Sequence, residues 1–143
     1  MINLPPFTKH DFFGVLYLIN KASYYFKGRT RLQKMIMLAT REDKIKYPFS
    51  FEFVRYHYGP FSFPLQDMIS DLIRAGILEE QQIMGPVGIE SLYRLTDEGQ
   101  RFLDRLKKEI PNDDKKKLDE IWEKYRFLSK DALVIKAKEI FGW

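Results

Sequence analysis

The chain has 143 residues with a formal net charge of +4, and 45% of it is hydrophobic, including 12 Phe, 8 Tyr and 2 Trp. That is enough apolar material for one domain with a core of its own, and the absence of Cys excludes a disulfide framework, a thiolate zinc site and a Cys nucleophile. The opening MINLPPFTKHD has neither a basic nor an apolar signal region, and no apolar run approaches the ~18 residues of a membrane span, so a cytoplasmic protein is expected.

Thr8 and Asp11 stand in capping-box spacing, and Phe7 and Phe12 in staple positions, so a first helix opens here. Phe12, Val15, Leu16 and Ile19 give it one apolar face, and Gly28 breaks the pattern. A second helix is predicted from about Arg29 to Arg41. Leu32, Met35, Ile36 and Ala39 line one side, and Met37 and Leu38 widen it, which implies cover on more than one face. Phe49, Phe51 and Phe53 alternate with polar residues and predict a short extended segment. Tyr58-Gly59-Pro60-Phe61-Ser62 reads as a turn in which Gly59 takes a positive φ.

Ser62 caps a third helix with Pro64 in its first turn, Leu65, Met68, Ile69, Leu72 and Ile73 on one face, and Gly76 at its end. Ile77–Met84 and Ile89–Leu95 flank Gly85-Pro86-Val87-Gly88 as a β-hairpin. Thr96 caps a fourth helix that Pro111 ends. Two more helices follow, one carrying Leu118, Ile121, Trp122 and Tyr125, the other capped by Ser129. Lys115-Lys116-Lys117 is a solvated helix face. The fold class expected is mainly α with a small β-hairpin wing: a winged helix-turn-helix over residues 1–110, with a C-terminal helical pair over 111–143. The apolar bulk of that pair either folds back on the first domain or pairs two chains as a homodimer.

Two resemblances attach to these residues. Leu72-Ile73-Arg74-Ala75-Gly76-Ile77-Leu78, followed by Tyr93-Arg94-Leu95-Thr96-Asp97-Glu98-Gly99, resembles the end of the recognition helix and the wing of PadR and MarR regulators. Thr30-x-Leu32-Gln33-Lys34, with Phe51-x-Phe53-x-x-Tyr56-x-Tyr58-Gly59-Pro60-x-Ser62, is similar to the phage-associated YwgA-like proteins and the Panacea (SocA-like antitoxin) domain. The first resemblance implies a DNA-binding fold. The second implies antitoxin or adaptor roles exercised on a protein partner.

The chemistry separates the readings. His10 and His57 have no supporting catalytic motif, and Glu79 and Glu80 point to opposite faces of a strand, so no enzyme, cofactor or metal is expected. Residues 1–60 carry +6, residues 61–110 carry −3 and residues 111–143 carry +1. The first function expected is a transcriptional regulator that contacts double-stranded DNA mainly through phosphates, using Arg29, Arg31, Lys34, Gln66, Arg74 and Arg94, with Gln66 on a base edge; a protein-interaction module is the alternative. Against that, the outward face of the third helix carries Asp67 and Asp71, and the wing tip from Gln81 to Glu90 has no Lys or Arg. A toxin or other protein partner suits that face better, and Tyr56, Tyr58 and Phe61 offer it an aromatic platform.

Overall fold

A computed structural model describes residues 7–143; the signal-peptide reading of the first residues lies mostly outside this range. The described chain is a mixed α/β fold with six helices and two small antiparallel sheets. The helices are α1 (Lys9–Lys21), α2 (Arg29–Arg41), α3 (Phe63–Arg74), α4 (Asp97–Lys107), α5 (Asn112–Tyr125) and α6 (Lys130–Phe141). The strands are β1 (Phe26–Lys27), β2 (Val54–Tyr56), β3 (Gly59–Phe61), β4 (Leu78–Gly85) and β5 (Gly88–Leu95). Among the described residues, no helix is long and apolar enough to cross a membrane.

Side-chain caps fix four helix starts. Thr8, Ser62, Thr96 and Ser129 each accept a backbone N–H three residues on, and Thr8 and Asp11 complete a capping box. The Phe7 and Phe12 rings meet edge-on at 6.0 Å, the staple that sets the angle at which the chain joins α1.

The helix α2 occupies the centre. Every residue from Leu32 to Ala39 is buried, polar Gln33 and Lys34 included, because neighbours surround it. One continuous core joins α2 to the inward faces of the other five helices and to Leu78 and Tyr93 at the base of β4 and β5. The C-terminal pair folds back: Leu118, Ile121, Tyr125, Leu133 and Ala137 are buried within the same chain, while Phe127, Ile135 and Trp143 stay exposed.

Three strand features differ from expectation. Phe49, Phe51 and Phe53 alternate in burial as predicted, yet the segment has no ladder partner. Aromatic packing holds it instead. The Ser50 N–H goes to buried Asp11 at 2.8 Å, and a Cβ at Gly14 would lie 2.4 Å from the Phe49 ring, so only glycine lets the segment lie against α1. The predicted turn at Tyr58 is a true hairpin, with Tyr56 opposite Gly59 and Val54 opposite Phe61, and Gly59 has φ +104° as expected. The two-residue β1 was not foreseen. It pairs with β5, giving the sheet order β1-β5-β4.

Candidate interaction surface

Gln33 and Lys34 leave α2 side by side and reach the same target. The Gln33 carboxamide donates to the Ser62 carbonyl and accepts from the Ser62 N–H, each at 2.9 Å, inside the core. The Lys34 ammonium donates to the Pro60 carbonyl at 2.7 Å. The two separate motifs, Gln33-Lys34 and Gly59-Pro60-x-Ser62, thus form one clamp that fixes the β2–β3 hairpin and the start of α3 onto α2. Gly59 completes it: a Cβ there would meet Lys34 Cε at 3.4 Å and Lys138 Cγ at 3.6 Å.

The clamp holds an exposed aromatic group above it. Tyr56 packs on Phe61 and Phe63, with ring centroids 5.1 Å from each, and His57 stacks on Tyr56 at 4.4 Å. Tyr56, Tyr58 and Phe63 remain 41%, 69% and 49% exposed. The expected platform of Tyr56, Tyr58 and Phe61 is therefore assembled, and it gains Phe63 and His57. His57 lies in the hairpin turn rather than in a strand. Phe63 opens α3, and Asp67 follows at i+4 on the same exposed face. Apolar rings thus run directly into a carboxylate.

The cations expected to meet phosphate have other positions. Lys34 is a correction: it is 2% exposed, and burial, reinforced by nearby Lys138, pushes its ammonium down to about 8. Arg31 is another. It is half-buried, and its guanidinium donates to the Leu128 carbonyl and, at 3.0 Å, to the Arg126 carbonyl, closing the end of α5. The Gln66 carboxamide oxygen is buried without a hydrogen-bond partner, so it is not presented to a base edge. Arg74 is paired with Asp71 on its own helix, and Arg94 with Glu79 across the β4–β5 ladder. Arg29 is half-exposed, with Glu80 at 3.8 Å. Of these six, Arg29 and Arg31 line one cleft, and the other four lie elsewhere. Gln33 and Phe63 were missed as site residues. The signal for Gln33 was its place in the motif shared with Lys34, and for Phe63 its position one residue after the cap.

His10 is within 2.9 Å of Asp114. Burial raises that carboxyl, but His10 and Lys117 together hold it below its ordinary value. Among the described residues, no group of three His, Cys, Asp or Glu could hold a metal.

No family model matches the chain. It is similar to a protein of Bacillus subtilis (strain 168) called "Uncharacterized protein YwgA", 34% identical over 85 residues, which is 59% of this chain and 49% of that protein. The chain thus spans about half the length of this curated relative, whose name states no activity.

Proposed function

We propose that this chain is a winged-helix protein-interaction module of antitoxin or adaptor type, which neutralises or tethers a protein partner. The winged-helix reading is supported by element order and sheet order: helix, strand, helix, the short β2–β3 hairpin, helix and the β4–β5 hairpin, with β1-β5-β4 pairing. In that reading α3 is the recognition helix and β4–β5 the wing. The carrying observation is the exposed aromatic group running into Asp67, set on a rigid clamp. Large exposed rings gathered in one patch mark interaction sites rather than solvent surface. The partner is a protein that presents an apolar side chain beside a Lys or Arg, matching Phe63 and Asp67.

The test uses this chain as bait in lysate of its source, with the captured partner purified and titrated. Phe63→Asp and Asp67→Lys each weaken the purified complex at least about ten-fold, the scale of a lost central contact, while Val87→Ser leaves it unchanged. A partner indifferent to Phe63 and Asp67 would overturn the assignment.

A second reading, a regulator of double-stranded DNA, is favoured by the same element order. With three to five phosphate contacts, log K would fall with log salt at a slope of about −3 to −4.5. Fluorescence anisotropy with random-sequence duplex decides: the interaction reading expects no binding at low salt.

A further inference from the structure

A cleft of about 800 Å³ opens beneath the wing, between the first turn of α2 and the overhanging tip of β4–β5. Its volume falls in the range of small organic ligand sites, roughly 300–1,000 Å³. Its lining mixes two chemistries: Lys27, Arg29 and Lys130 are cationic, and Val87 and Ile89 are apolar. Both apolar residues are exposed, and Met84 extends the patch as the ladder neighbour of Ile89.

The cationic lining is incompletely balanced. Glu90 in the lining lies 3.4 Å from Lys27, and Glu80 lies 3.8 Å from Arg29. Lys130 has no acidic partner within ion-pairing distance among the described residues. The helix start in this lining adds to the imbalance: Gly28 gives α2 no side-chain cap, and its first turn has no acidic residue. Arg29 and Ser91, both lining the cleft, are also the polar neighbours of the buried Tyr93 hydroxyl.

We propose that the cleft binds a small organic anion, a carboxylate carried on an apolar chain or ring. The carboxylate faces Arg29, Lys130 and the free N–H groups that open α2. The apolar body lies against Val87 and Ile89 and removes them from water. A bare inorganic anion leaves the apolar residues uncovered, and a neutral apolar molecule leaves the cations uncompensated.

The experiment is a two-dimensional amide NMR titration of the full chain with three probes: octanoate, 1-octanol and acetate. Octanoate is expected to saturate, with shifts clustered at residues 27–31, 87–91 and 130, while octanol and acetate do not saturate over the same range. Arg29→Glu, Lys130→Glu and Val87→Asp each weaken octanoate at least about ten-fold, as loss of a charge-assisted or apolar contact requires. Tyr58→Ala leaves it unchanged. These positions are exposed or half-exposed, and the variants' own spectra report that they fold. Failure to saturate in the millimolar range overturns the proposal. So do octanol or acetate binding as tightly as octanoate, shifts centred on Tyr56 and Phe63, or affinity indifferent to Arg29 and Lys130.

Discussion

The β2–β3 hairpin has three residues on each strand, and the β4–β5 hairpin has eight. Ladder length alone makes the longer one the more secure. Side chains reverse that expectation. The short hairpin is tied at Pro60 and, through the adjoining Ser62, by buried bonds from α2. The long one is anchored at its base by Leu78 and Tyr93 and leaves Met84, Val87 and Ile89 in solvent at its tip. The short hairpin gains rigidity from bonds beneath it, whereas the long one gains reach from its ladder.

That contrast is broken most severely at Gln33. Gln33→Leu strips both bonds from the buried Ser62 backbone and should cost about 3 kcal/mol, since each unsatisfied buried group costs on the order of 1–3 kcal/mol. Urea unfolding reads it as a lower midpoint with an unchanged slope; an unmoved midpoint would show that water or a shifted backbone replaces the clamp. Gly59→Ala comes next, at about 1–2 kcal/mol, because alanine must take φ +104° with Lys34 and Lys138 against its methyl. A thermal melt that superimposes on the parent removes this claim.

Lys34 gives the clamp a pH signature. Its pKa is pushed down from the ordinary 10.5 to about 8, so between those values the unfolded chain holds more protons than the folded one. The folded state therefore gains stability as pH rises through this window, by at most about 1.4 kcal/mol per pH unit. Lys34→Met should flatten the rise between about pH 8 and 9, where unfolded tyrosines are still largely protonated. Parallel pH–stability curves for the two proteins would contradict it. The smallest effect belongs to the other hairpin: Met84→Ser or Val87→Ser should stay within about 0.5 kcal/mol by the same measurement. A larger loss would mean that the wing tip contacts something in the free protein.

Much of the architecture was legible because it is local. Thr8, Ser62, Thr96 and Ser129 announce helix starts by residue type and spacing, and each makes its bond. The start of α2 and the β4–β5 hairpin follow from Gly28 and the Gly-rich turn in the same way. β1 was illegible because two residues carry no period. The fate of the cations was illegible because it is tertiary. Four positive charges within eight residues look like a surface, but Gln33 and Lys34 complete a ring that Leu32, Met35, Ile36, Met37 and Leu38 begin. The widened apolar face of α2 was the available clue, and it outweighed charge. The platform was half-visible: Tyr56, Tyr58 and Phe61 stood out as aromatics, whereas Phe63 needed the hairpin to fold back onto the start of α3.

The central placement of α2 also sets a timetable for synthesis. Eight successive residues of this helix are destined for the interior. Arg31 closes on Arg126 and Leu128, and α6 packs against α2 only after roughly a hundred further residues have been added, a wait of about 5–20 s at ~5–20 residues per second. Until then Met35, Ile36, Met37 and Leu38 belong to a helix that lacks part of the cover it has in the finished fold.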